Sequence, residues 1–320
     1  AKNQTQAVID RIQQENSRLT CQLNILPSPL AEGESFDEIF TATSSREITY
    51  LMDLVRQDQC RLVVIEAADM ALGLDEDMDI LCVPDRINPF DAFLNRQGVI
   101  MDEVDSGSRI GVLTARSKAQ MSSLWPDLVF QIIPGGVDRA METHMRRSEI
   151  DGLVLPAVVT ELLGIQGIVA EIFSPEFVLP GPGQGILLVV GKKGDEEARQ
   201  DLAAIHSRDT AAEFTTERAF RSRMISDRDV PVGALARVKA GQIVIVGGTG
   251  PATNRISVDG KLDQAEEIGA GLATQILQDG GSFADLLEAE FPDGLPAVDE
   301  LEDFEEDDLP ADKVDEEALL

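Results

Sequence analysis

Thiols and imidazoles, the usual nucleophiles and soft-metal ligands, are few in this chain. Its three thiols, Cys21, Cys60 and Cys82, lie far apart, with no spacing that suits a metal site or a disulfide framework. Cys21 and Cys82 sit in apolar, strand-like runs, where a small buried thiol is expected. His144 and His206 are too distant in sequence to suggest a shared site, and both read as structural or helix-surface residues. Gly247-Gly248-Thr249-Gly250 follows an apolar run and could cradle a phosphate if a helix came next. Residues 254–260 read instead as a strand and turn, so no helix N-terminus receives the anion and a hairpin turn is expected. What remains is carboxylate and guanidinium chemistry. Arginine outnumbers lysine by 20 to 7, and its planar fork suits carboxylate ligands.

The elements that must position these groups alternate. Ala7 to Glu15 places Val8, Ile9 and Ile12 on one helical face, and Leu19 to Leu26 reads as a strand. Ser44 or Ser45 is expected to cap a helix reaching Gln57, ahead of a short strand over Arg61 to Ile65. Strands over 109–113, 128–133, 152–155 and 185–190 alternate with helices over 115–123, 138–147 and 196–206. This order predicts mainly parallel sheets with helices on both faces. Strands over 234–238, 242–246 and 255–258 and a helix over 263–278 then form a compact α+β module. Pro/Gly-rich stretches near Arg86 to Pro89 and Leu179 to Gly185 mark two crossings between domains, with a cleft between them. The expected domains are 1–87 with 186–207, 88–185, 208–290 and a tail over 291–320.

At 320 residues and 43% hydrophobic composition the chain is globular, and no apolar run approaches a membrane span. The start, Ala1-Lys2-Asn3-Gln4, lacks a signal-peptide core, and a cytoplasmic location is expected. A net charge of −31 argues against nucleic acid and anionic membranes as partners. The last 30 residues carry 13 acidic residues and one Lys, and they read as a disordered tail suited to a basic protein partner. A high-salt habitat or an ordinary acidic cytosolic protein would each explain the remaining acidity; the second is favoured.

Thr216-Glu217-Arg218-Ala219-Phe220, followed by Val230-Pro231-Val232-Gly233-Ala234, resembles the third-domain signature of porphobilinogen deaminase (hydroxymethylbilane synthase). The resemblance is collinear from about Ser45 to Leu287. Ser45 to Asp69 is similar to the stretch ending H-S-x-K-D, and Arg86 to Ala92 to R-x-x-P-x-D-A. Ile110 to Gln120 is similar to I-G-T-S-S-L-R-R-x-A-Q, Leu179 to Gly185 to L-P-A-x-G-Q-G, and His206 to Phe220 keeps the spacing before E-R-A-F. The resemblance implies an α/β fold, with two type II periplasmic-binding-protein-like domains and a small α+β domain. It also implies head-to-tail condensation of porphobilinogen on a dipyrromethane cofactor held by a cysteine.

Carried over residue by residue, the resemblance places the charge-stabilising carboxylate at Asp69, although Ile65, Glu66 and Ala68 stand where His, Ser and Lys are expected. A helix-cap role is the other reading of Asp69. The polycarboxylate lining would include Thr114, Arg116, Arg139 and Gln184, while the second Arg of the R-R pair is Ser117. A surface arginine in a first helical turn is the alternative for Arg116. The attachment position falls on Arg228, so no cofactor is expected. Arg228 either pairs with Asp227 and Asp229 or holds a free tetrapyrrole carboxylate. The favoured expectation is a divergent homologue without normal turnover that binds a pyrrole or linear tetrapyrrole. The alternatives are an active synthase with an unusual anchor and a non-catalytic interaction module.

Overall fold

A computed structural model describes residues 2–23, 39–70, 73–133, 137, 140–141, 149–224, 231–250 and 255–279. Arg139, Arg228, His144, most of the helix expected over 138–147 and the acidic tail lie outside the described residues. Three sheets organise the rest.

The first sheet has the order β1-β8-β2, from Leu62–Glu66 (β1), Met78–Cys82 (β2) and Leu187–Lys192 (β8). β8 is buried along almost its whole length because both its faces are covered. Leu188 and Val190 meet Met52 and Val55 of helix α2 (Ile39–Arg56), while Leu187 and Val189 meet Val8 and Ile12 of α1 (Lys2–Glu15). Two-sided burial explains why β8 reads as a continuous apolar run rather than an alternating one. Each fully buried Leu or Val there contributes roughly 1.5–3 kcal/mol.

The second sheet has five strands in the order β5-β4-β6-β3-β7. They are Asp91–Asn95 (β3), Arg109–Val112 (β4), Val129–Ile132 (β5), Gly152–Pro156 (β6) and Val169–Ile172 (β7). Helix α3 (Ala115–Leu124) links β4 to β5, and a short α4 (Ala157–Leu162) follows β6. The third sheet, β11-β10-β9, is a meander of Val232–Lys239 (β9), Gln242–Thr249 (β10) and Arg255–Lys261 (β11). Helices α6 (Arg208–Met224) and α7 (Ala265–Asp279) supply Phe220, Met224, Ile268, Leu272 and Ile276 to its core. A Cβ on Gly269 would lie 2.0 Å from the Thr216 carbonyl oxygen, so only glycine permits this helix crossing.

Several expectations are corrected. Only the β4 pairings, with β5 and β6, are parallel; the other strand pairs are antiparallel. β8 enters between β1 and β2 and runs against both, which needs no helical crossover. The strand expected over 19–26 is absent from residues 19–23, and residues 24–26 lie outside the described set. Leu19 and Cys21 are apolar because an irregular connector packs them against the first sheet. α2 begins ahead of both serines expected to cap it. The helix expected over 196–206 divides into α5 (Glu196–Asp201), capped by the Asp195 side chain, and a single 3-10 turn over Ala203–Ile205. Gly247 and Gly248 belong to β10 rather than to a turn; a Cβ on Gly247 would lie 2.9 Å from the Phe220 ring.

His206 closes the join between the first sheet and α6, where its Nδ1 accepts a hydrogen bond from the Val83 amide at 3.1 Å. Burial, with Arg199 and Arg208 nearby, holds its pKa below the ordinary histidine value. Protonation therefore favours the unfolded chain, whose histidine titrates near about 6.5. Stability is expected to be full above that pH and to fall as pH drops below it. In urea titrations, His206→Asn, which keeps an acceptor but does not titrate, should flatten this part of the profile.

Candidate functional site

Asp69 ends a one-turn 3-10 helix, Ala67–Asp69, directly after β1, and its side chain is exposed. The alternative reading of Asp69 as the cap of this turn does not hold, because Glu66 occupies the N-cap position and makes no side-chain capping bond. The turn is fixed from three sides. The Ala67 amide donates to the Ile186 carbonyl at 2.8 Å, the Gly185 amide to Glu66 Oε1 at 3.0 Å, and Arg221 to the Ala68 carbonyl at 2.6 Å. Glu66, at the position where a family serine is expected, thus spends one carboxylate oxygen on the backbone.

Thr114 caps α3, its hydroxyl accepting from the Ser117 amide at 3.0 Å. Arg116, in the first turn, points inward and is 7% exposed, so the surface reading does not hold. One of its terminal nitrogens donates to Asp91 Oδ2 at 2.8 Å and the other to the Leu179 carbonyl at 2.6 Å. Gln184 completes this group. Its Nε2 donates to Asp91 Oδ1 at 2.8 Å and to the Pro89 carbonyl at 2.7 Å, and its Oε1 accepts from the Gly181 amide at 3.1 Å. Asp91, Arg116 and Gln184 therefore form a closed internal network. Arg116 is thus paired with a carboxylate of the protein itself rather than presented as a free cation.

A second network holds residues that reading for chemistry passed over. Arg86, on the outward crossing (residues 83–90, which carry the chain from β2 of the first sheet to β3 of the second), donates to Glu217 Oε1 at 2.6 Å and Oε2 at 3.1 Å. Glu217, wholly buried, also accepts from the Gly183 amide at 2.6 Å and the Ala236 amide at 2.7 Å. Glu213 accepts from Arg237 at 3.0 Å and from the Val238 amide at 3.2 Å. The R-I-N-P, G-Q-G and T-E-R-A-F stretches thus meet at a single point joining all three sheets. Their fixed spacing in sequence was the available signal.

The thiols lie elsewhere. Cys82 ends β2, is fully buried beside the Leu202 carbonyl, and is pushed up to about 12 by burial. Burial also raises Cys60, and raises Cys21 with a further contribution from Asp201. All three are therefore poor sources of thiolate. Among the described residues, no cluster of His, Cys, Asp and Glu could hold a metal ion, and no helix is long and apolar enough to cross a membrane.

Residues 1–200 match the family model for "Porphobilinogen deaminase, dipyromethane cofactor binding domain". The chain belongs to the porphobilinogen deaminase family. The porphobilinogen deaminase of Roseiflexus sp. (strain RS-1) is 30% identical over 73% of this chain and 78% of its own length. That of Thermus thermophilus is 31% identical over 79% of this chain and 82% of its own. Among solved structures, a putative methionine-binding lipoprotein from Bacillus subtilis is similar over 50% of this chain and 75% of its own, at 10% identity and a TM-score of 0.35. That likeness is too distant to carry an argument, so the fold class rests on the family match and the mixed α/β architecture. The family binds dipyrromethane and builds a linear tetrapyrrole from porphobilinogen.

Proposed function

We propose that this chain is a porphobilinogen deaminase homologue that holds no covalent dipyrromethane, does not polymerise porphobilinogen normally, and serves as a binding or regulatory protein for a pyrrole or linear tetrapyrrole. The distribution of thiols carries this reading. A thioether anchor needs a nucleophilic thiolate. No cysteine lies beyond residue 82, Arg228 stands where the resemblance places the attachment cysteine, and burial raises the pKa of all three thiols. The residues present do not fit a covalently held cofactor.

Two further observations support the reading. Arg116 and Gln184 are bound to Asp91 and to backbone carbonyls, which leaves the expected polycarboxylate lining short of cations. Ala68 stands where the resemblance calls for lysine, next to the exposed Asp69. A carboxylate alone can stabilise a cationic pyrrole nitrogen. It cannot by itself neutralise the acidic side chains of a growing polypyrrole. One observation favours an active enzyme with another anchor, namely that Asp69, where the resemblance places the charge-stabilising carboxylate, is exposed.

Porphobilinogen consumption by the full chain and by Arg228→Cys separates these readings. Neither protein is expected to consume it. Consumption by the unaltered chain would overturn the proposal. Rescue by Arg228→Cys alone would confine the loss to the anchor and overturn the argument from the lining.

A further inference from the structure

The return crossing, residues 173–186, joins β7 to β8 and is stitched to the third sheet along its length. Arg255, the first residue of β11, donates from one terminal nitrogen to the Pro175 and Glu176 carbonyls, both at 2.7 Å. Its other terminal nitrogen donates to the Phe177 carbonyl and to Gln120 Oε1, the latter at 3.2 Å. Further along, the Ala234 amide donates to the Pro180 carbonyl at 2.9 Å, and Glu217 takes the Gly183 amide. β9 lies directly on the crossing; a Cβ on Gly233 would come within 2.7 Å of Leu179 Cβ.

The Arg255 contact differs in kind from the other charged contacts. Arg86 and Arg116 each meet a buried carboxylate, whereas the acceptors of Arg255 among the described residues are all neutral. They are arranged for a cation all the same. The Phe177 and Val178 amides both turn back to the Ser174 carbonyl, which leaves the carbonyls of 175–177 converging on the guanidinium. Carbonyl dipoles give geometric specificity but only part of the attraction of a paired charge. Arg255 is also half-buried, so water can take over its bonds once the turn shifts.

We propose that Arg255 is a releasable latch that fixes the return crossing, and with it the second sheet, to the third sheet. Rotation of the second sheet against the first must bend residues 83–90 and 173–186 together. The outward crossing is tied by the buried Arg86–Glu217 pair. The same pair holds the inner end of the return crossing, since Glu217 takes the Gly183 amide and Arg86 donates to the Gln184 carbonyl. Residues 174–179 are therefore the part of the return crossing that can open, and Arg255 is its outermost fastening. This inference is independent of whether the chain turns over.

The test is amide hydrogen exchange on the full chain and on Arg255→Gln, with far-UV circular dichroism as a control on folding. Exchange is expected to rise by about ten-fold or more through 174–179 and at Ala234, whose amide is held by the Pro180 carbonyl, with Gly183 and β8 unchanged. Trp125, the chain's one tryptophan, packs 5.7 Å from the Phe173 ring and should shift its emission in step. A rise confined to 174–178 would mark a local contact and overturn the latch, as would no change at all. If Arg255→Gln unfolds, Arg255→Lys decides. Intermediate exchange over the same segment sustains the latch. Global unfolding of that variant too would make Arg255 a core stabiliser and not a latch.

Discussion

Glu217→Ala is expected to lower the folding free energy by about 3–5 kcal/mol, the usual cost of removing one partner of a buried ion pair. Glu217 is the wholly buried acceptor for Arg86, Gly183 and Ala236, groups drawn from the two crossings and the third sheet. Its loss strands a guanidinium whose side chain is 3% exposed and leaves two buried amides without their acceptor. Each unsatisfied buried group adds roughly 1–3 kcal/mol, although these costs overlap. Denaturant titration gives the loss directly. Replacing both partners by apolar residues, Arg86→Met with Glu217→Leu, should recover part of it, because the stranded charge is then gone. A single-variant loss under about 1 kcal/mol would mean the junction is not built as described.

Arg116→Ala should cost a comparable amount, roughly 3–5 kcal/mol, with no ligand present. Asp91 is 2% exposed, and without Arg116 its remaining side-chain partner in the network is Gln184. Arg116→Lys should recover only part of the loss, since a point charge cannot serve Asp91 and the Leu179 carbonyl in the same fork geometry. A ligand-binding arginine would behave differently. Its removal would weaken ligand binding and change ligand-free stability by less than about 1 kcal/mol. Stability measured without ligand therefore decides what Arg116 does.

Where burial alone sets the pattern, the fold was legible. The apolar runs that became β1, β6 and β8 needed no further information, and neither did the amphipathic face of α1. α6 escaped notice because its helix buries Thr216 and Glu217 along with Phe220, so polar residues fall where an apolar stripe is sought. β3 was hidden beside the Pro/Gly crossing that precedes it, and its Asp91 is buried by partnership with Arg116 rather than by apolar character.

The candidate site was legible as a set of positions but not as geometry. Sequence placed Arg116 and Gln184 in the expected motifs. Only the structure showed that both turn inward onto Asp91. Glu217 stood inside the signature that identified the family, yet its part in joining three sheets depends on Arg86, which lies 131 positions away. Arg255 gave no signal at all. Its acceptors are main-chain carbonyls and one glutamine oxygen, and a carbonyl acceptor is independent of residue type.

Whether pyrrole units assemble covalently on this chain is tested most directly by intact mass. The purified protein would be weighed before and after incubation with porphobilinogen or preformed hydroxymethylbilane. An unchanged mass is predicted. A stable increment equal to a whole number of pyrrole units would contradict the account and restore an anchored, working enzyme.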